Sequence, residues 1–339
     1  MSDFFNKSGI MKFFIVGILL LLLIFTSGCM FQPSSKTNFT SPSLAGAQHN
    51  PIIANANASK YIAISAGSGH GLALKNDGTV VAWGEVDESP VTQIPKNLTN
   101  IIAISAGHEF SLALKGDGTV VFWGVPDNLH QIPTLANVTD VGALASSHGM
   151  YTLVLKKDGT VVARGSNTLG VLDVPLNLTD VTSISAGGNH NLALKKDGTV
   201  VAWCGKGNKK FEAFGQADVP PNLTHVVAIA AGGDHSLALK DDGTVIAWGD
   251  NSHGQCNVPP DLHGVKAISA GGAFSLALKN NGTVVAWGDN QFGQCKVPAN
   301  LRDVKAISAG GAFSLALKND GTIVAWGDNQ KGECNVPKN

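Results

Sequence analysis

Hydrophobic and polar positions recur along this chain in a unit of about 40 residues. Asp-Gly or Asn-Gly pairs begin at Asp77, Asp117, Asp158, Asp197, Asp242, Asn281 and Asp320, at intervals of 40, 41, 39, 45, 39 and 39 residues. A period of this size marks a repeat architecture. In the last copy, residues 313–318 and 322–326 are short runs of aliphatic and β-branched side chains, which predict two strands. Asn319-Asp320-Gly321 between them predicts a hairpin with a type I′ turn, because Asp or Asn and Gly adopt positive φ readily. Residues 306–310, built from small side chains, predict a further strand suited to crowding near an axis. Residues 334–337 are the weakest strand candidate, since proline in strands is confined to edges and bulges.

Seven copies of three or four short antiparallel strands predict an all-β chain folded as a seven-bladed β-propeller over residues 60–339. An open solenoid would need distinct polar caps, and neither terminal copy differs in that way. The ring must then close between the start of the first copy and Val336-Pro337, by an exchange the pattern does not define.

The first 59 residues follow other rules. Lys7 and Lys12 precede an apolar run of thirteen residues from Phe13 to Phe25. That is the length of a signal-peptide core and short of the ~20 residues that span a bilayer as a helix. Thr26-Ser27-Gly28-Cys29 resembles a prokaryotic lipoprotein box, which implies lipidation of Cys29, although Thr26 stands where that box has an aliphatic residue. The alternative is an uncleaved anchor, because residues 13–31 carry no charge. Residues 1–28 are thus read as a signal segment and residues 29–59 as a flexible tether, with a reach of roughly 30 Å. On either reading the repeats are exported.

Composition narrows the function. The chain has 24 Lys+Arg against 25 Asp+Glu, and only 14% of its residues are charged. Such neutrality argues against a duplex nucleic-acid binder, which needs a basic face. No nucleophile elbow, Walker loop, zincin motif or paired-carboxylate spacing occurs, and His108-Glu109 lacks the second His of a zinc helix. No cofactor or metal is expected.

Repeated positions sort into packing and candidate contact. His70, His190 and His235 share a position with Phe110, Tyr151, Phe274 and Phe313, so it is a packing site. Trp83, Trp123, Trp203, Trp248, Trp287 and Trp326 share another, read as a blade-to-blade anchor, with Arg164 as the exception. Cys256, Cys295 and Cys334 lie 39 residues apart, and Cys204 stands elsewhere in its copy. Export permits disulfides, but the default reading is small buried thiols.

Departures from the repeat are the candidates for partner contact: His108 and Glu109, then His148 and Arg164 in the irregular third copy. The fourth copy adds a long loop over residues 205–218 carrying Lys206, Lys209, Lys210, Phe211 and Phe214. Loops on a rigid scaffold carry recognition, while repeat drift would explain the same features without function. Asn97, Asn137, Asn177 and Asn222 each open an N-x-T sequon, a glycan acceptor motif or a repeated turn.

The pattern A-G-G-x-H-S-L-A-L-K-x-D-G-T-V-x-A-W-G, as in residues 231–249, resembles the regulator-of-chromosome-condensation (RCC1-like) repeat family, over about 280 residues from Tyr61. The resemblance implies a seven-bladed propeller. The G-Q-C-x-V-P linkers at Gly254 and Gly293 are similar to the secreted bacterial branch, which includes a β-lactamase-inhibiting propeller with Thr in place of Cys. That relative binds through aromatic corner residues, where this chain has Ser68-Gly69, His108-Glu109, Gly188-Asn189, Gly233-Asp234, Gly272-Ala273 and Gly311-Ala312, so inhibition is not carried over. The nuclear branch implies nucleotide exchange on a small GTPase, which export would oppose. The expectation is a non-catalytic, membrane-tethered, monomeric protein-binding module at the cell surface. An enzyme with a site at the propeller axis is the rival class.

Overall fold

A computed structural model describes residues 60–85, 89–124, 135, 138–147, 149–167, 170–204 and 214–338. Residues 1–59, with Cys29, and the candidates Asn137, His148, Lys209, Lys210 and Phe211 lie outside the described residues.

Twenty-one strands form seven three-stranded antiparallel sheets, each built from one uninterrupted stretch of chain. Blade 1 comprises Tyr61–Ala66, His70–Lys75 and Val80–Gly84. Blade 7 comprises Val304–Ala309, Phe313–Lys318 and Ile323–Gly327. The first strands touch one another in a closed cycle, blade 7 against blade 1 included, so they surround the axis. Alanine, serine and isoleucine fit that crowded ring. Middle strands are buried on both faces up to a final lysine, because each sheet is covered by a neighbour on either side. That explains F-S-L-A-L-K, which is continuous and does not alternate.

Among the described residues no blade has a fourth strand, and residues 334–337 are turn and coil. In their place, the linker carrying V-P lies on the outer strand of the next blade. Trp123 Nε1 donates to Val91 O at 2.9 Å, and Trp248, Trp287 and Trp326 donate to Gln216, Gln255 and Gln294 O at 3.0, 2.9 and 2.8 Å. Proline suits this edge position because no ladder hydrogen bond is asked of it.

The hairpins form where the Asp-Gly pairs fall, but with a different turn. Lys318 N bonds to Thr322 O and Gly321 N to Lys318 O, closing a three-residue loop in which Gly321 alone has positive φ. A type I′ turn would need two such residues; the observed loop is the type I plus left-handed glycine form. Asp77, Asp158 and Asp197 each accept from both the backbone N–H and the hydroxyl of the Thr two residues on, which accounts for D-G-T.

Three side-chain devices weld blade to blade. On the inner strands, the hydroxyls of Ser65, Ser105, Ser185, Ser269 and Ser308 accept from the backbone N–H of Ala106, Ser146, Ala231, Ala309 and Ala66 in the next blade. Ala145 and Ala230 hold the same position in blades 3 and 5. On the middle strands, His70, His190 and His235 Nε2 bond to Ser111, Ser236 and Ser275 Oγ of the next blade, at 2.9, 2.8 and 3.0 Å. Tyr151 donates instead to the carbonyls of Gly187 and His190. Tryptophans and linkers make the third weld.

The ring closes by the same devices. Ser308 receives the Ala66 N–H, Trp83 Nε1 donates to Glu333 O at 2.7 Å, and Lys331 pairs with Glu85 at 3.7 Å. The C-terminal linker thus covers blade 1 as the linkers from blades 1, 3, 4, 5 and 6 cover their successors.

Candidate functional site

The loops between first and middle strands gather at one face, the corner face, while the Asp-Gly hairpins lie at the other. Corner backbones are bonded in sequence: Ser68 N to Gly107 O, Gly188 N to Gly233 O, Gly233 N to Gly272 O, Gly272 N to Gly311 O, and Gly311 N to Gly67 O, at 3.0 to 3.2 Å. A Cβ at Gly188, Gly233, Gly272 or Gly311 would strike the backbone of the next corner. Close approach therefore calls for glycine at these four corners, whereas Ser68 and His108 stand at the same position in blades 1 and 2.

Beneath it, His70 and His190 are fully buried, and burial lowers both imidazoles to about 3, helped by the nearby His108 and His235 respectively. Neutral, hydrogen-bonded to serine and shut from solvent, they act in packing, as the shared Phe and Tyr positions imply.

Polar side chains reach the corner face over one arc. His108 Nδ1 lies 3.8 Å from Glu109 Oε1, both about half exposed, and Asn189 Nδ2 donates to Asp234 Oδ1 across blades 4 and 5 at 3.0 Å. Arg164 bends back to its own Ala163 O at 2.9 Å. Phe214 is 47% exposed on the linker from blade 4. Of the sequence candidates, His108 and Glu109 are brought together, whereas Arg164 and Phe214 stand on other blades. No group of three or more His, Cys, Asp or Glu fit to hold a metal occurs among the described residues.

The linkers reveal a feature that the fourth-copy loop alone did not suggest. Phe214, His253, Phe292 and Lys331 each precede the glycine of a G-Q or G-E pair and so share one turn position. Gly254 and Gly293 turn these loops with positive φ, and Gln255 and Gln294 lock them by accepting the N–H of His253 and Phe292. Lys331 lies over Gly69 of the next corner, and Phe214, His253 and Phe292 hold the same position of the repeat in their own linkers. Phe292 is 45% exposed. Alignment of the G-Q pairs would have found it.

The cysteines are structural. Cys256, Cys295 and Cys334 are unpaired, and each Sγ donates to the carbonyl of Asp250, Asp289 or Asp328 within its own linker. Burial raises the thiols to about 11, 12 and 11, reinforced by Asp250 at Cys256, by Asp289 at Cys295 and by Glu333 and then Asp328 at Cys334, well away from reactive thiolates. Cys204 lines a cavity of about 440 Å³ at the outer edge of blade 4, with Trp203, Pro175 and Asp218.

Residues 39–339 match the RCC1-like domain profile. The chain belongs to this family. No curated protein matches the sequence of this RCC1-like chain. Among solved structures, the entire ectodomain of the Physcomitrella patens receptor kinase CR4 is similar at 20% identity and TM-score 0.66, over 80% of this chain and 74% of that one. The CRINKLY WD40 ectodomain of the Arabidopsis thaliana receptor kinase ACR4 matches at 21% identity and TM-score 0.62, over 79% and 98%. Prp20p of Saccharomyces cerevisiae, described with its binding to Gsp1p and histones, matches at 22% identity and TM-score 0.60, over 76% and 82%. These likenesses establish a shared fold with the RCC1-like chain.

Proposed function

We propose that this RCC1-like chain is an exported, membrane-tethered, non-catalytic module that binds another protein through its corner face. The observation that carries the reading is the pair Phe214 and Phe292, half exposed at equivalent turn positions on either side of His253. Aromatic side chains on a flat surface of small residues are the usual anchors of protein interfaces. The Phe292 turn is locked by its hydrogen bond to Gln294 and the blades below are welded together, so little conformational freedom is lost on docking. The tether at residues 29–59 and the segment ending at Cys29 supply the membrane link. Solved relatives that bind proteins, such as Prp20p with Gsp1p and histones, show that the architecture suits this task.

The test uses the exported chain as bait against envelope extract and culture medium of its own cells, beside a Phe214→Ala/Phe292→Ala variant. A saturable protein held by the native chain and weakened at least tenfold by the variant is expected. Equal retention by both, or no capture at micromolar concentration, would overturn the reading. The N-terminal peptide from the same cells should begin at a lipidated Cys29; an intact Met1 in a cytosolic protein would favour the nucleotide-exchange reading implied by the nuclear branch.

A further inference from the structure

The sequons at Asn97, Asn177 and Asn222 occupy the hairpin end of the propeller, away from the corner face. Three residues after each, Asn100, Asp180 and His225 bond through their carbonyls to the hairpin of the blade they enter. Within each N-L-T triplet the leucine turns inward: Leu98 is buried, and Leu178 and Leu223 pack against the cores of their blades. The Asn and Thr on either side are exposed in all three.

Turn geometry accounts for part of this pattern. Asn97, Asn177 and Asn222 have φ of 69°, 68° and 66°, the left-handed region that asparagine tolerates best after glycine. The turn gives the threonines no such reason; one of them, Thr179, donates to the exposed Asp180 carboxylate at 3.1 Å. In the next two linkers the triplets are Asp261-Leu262-His263 and Asn300-Leu301-Arg302, so the inward leucine persists while His or Arg replaces Thr. Packing demands the leucine and the turn favours the asparagine, but neither demands the threonine.

Four other asparagines among the described residues are tied down. Asn251, Asn290 and Asn329 each accept from the backbone N–H of a cysteine, and Asn281 accepts from the backbone N–H and the hydroxyl of Thr283. Asn281-Gly282-Thr283 is itself an N-x-T triplet, held inside a hairpin.

We propose that Asn97, Asn177 and Asn222 are acceptors for N-linked glycans, forming a carbohydrate arc on the hairpin face and leaving the corner face bare. The donor class is an oligosaccharide linked through C1 to a lipid phosphate. The Asn carboxamide nitrogen forms a bond to C1 and loses one proton; the bond from C1 to the phosphate oxygen breaks, and the lipid phosphate leaves with the electron pair. The proposal rests on the exported reading, since such donors serve proteins that cross the membrane. It deepens that reading by assigning opposite faces to sugar and partner.

The test is site-resolved mass spectrometry of the full chain isolated from the envelope of its own cells, with N-terminal processing read in the same sample. Glycan mass is expected at Asn97, Asn177 and Asn222, and none at Asn281 or at Asn300, which lacks the threonine. Thr99→Ala, Thr179→Ala and Thr224→Ala should each remove one glycan while leaving the melting temperature of the deglycosylated protein unchanged. A processed envelope protein bare at all three sites would overturn the proposal and leave export standing. Equal occupancy at Asn281 would overturn the selection of sites by the fold. An unprocessed cytosolic chain without glycans would overturn both readings.

Discussion

Acid should loosen this propeller through two buried imidazoles before it reaches the carboxylates. In the folded chain His70 and His190 are held near 3, below the ordinary value of 6.5. Between these limits the unfolded chain binds more protons than the folded one, so their neutral burial is harmless above pH 6.5 and erodes stability as pH falls. Each group contributes a slope of about 1.4 kcal/mol per pH unit, or about 2 kcal/mol each between pH 6.5 and pH 5. Together they remove about 4 kcal/mol over that interval, a large share of an ordinary folding free energy. The perturbation is the double variant His70→Phe/His190→Phe. Phe110, Phe274 and Phe313 already occupy this position, fully buried, so the volume fits. Ser236, the neighbour of His190, keeps a bond to Gln216 O. Urea unfolding followed by tryptophan fluorescence from pH 7.5 to pH 5 should show the native chain losing stability steeply and the variant nearly flat. That window lies above the range of Asp158, Asp197 and Asp320, which hydrogen bonds from the neighbouring threonines hold low. Parallel slopes for the two proteins would refute the assignment.

Two substitutions test the welds between blades. Gln255 and Gln294 donate Nε2–H to Asp250 and Asp289 at 2.8 and 2.9 Å, but the C-terminal linker places buried Glu333, with no donor, five residues after Asp328. Glu333→Gln should restore a hydrogen bond to a charged group, about 1.5–3 kcal/mol, and raise Tm by about 3–6 °C in calorimetry; an unchanged or lower Tm would show that the closing linker does not repeat its neighbours. Ala230→Ser should supply the inner hydroxyl that five other blades have, adding about 1 kcal/mol, whereas destabilisation would mean that the joint between blades 5 and 6 has no room for it.

What the sequence made legible was local and periodic. The repeat interval, the hairpins and the packing role of the His/Phe/Tyr position all follow from side chains meeting near neighbours or their copies one unit away. The turn type was misread because Asp-Gly suits two loop lengths, and pairing register, which pattern alone does not display, chooses between them. The fourth strand was a poor expectation for a related reason: V-P has the apolar character of a strand edge, but its backbone serves tryptophan Nε1 groups instead of a ladder. Ring closure lay beyond the pattern because it joins residues some 250 positions apart, such as Trp83 and Glu333. For the candidate face, Phe214 stood out through its unusual loop, whereas Phe292 sits in a regular copy and is conspicuous only once its exposure is known. His70, His190 and His235 were placed correctly as packing groups, but their serine partners follow only from the angle between blades.

Each blade is one unbroken stretch of sequence, and the seam between the termini falls between blades, not inside one. In genetic terms, the boundaries of a duplicable segment coincide with the boundaries of a folded part. Unequal crossing-over between near-identical copies therefore adds or removes whole blades and leaves no half-sheet with exposed edges. The near-identity of the sixth and seventh copies is what recent copying of such a unit would leave behind.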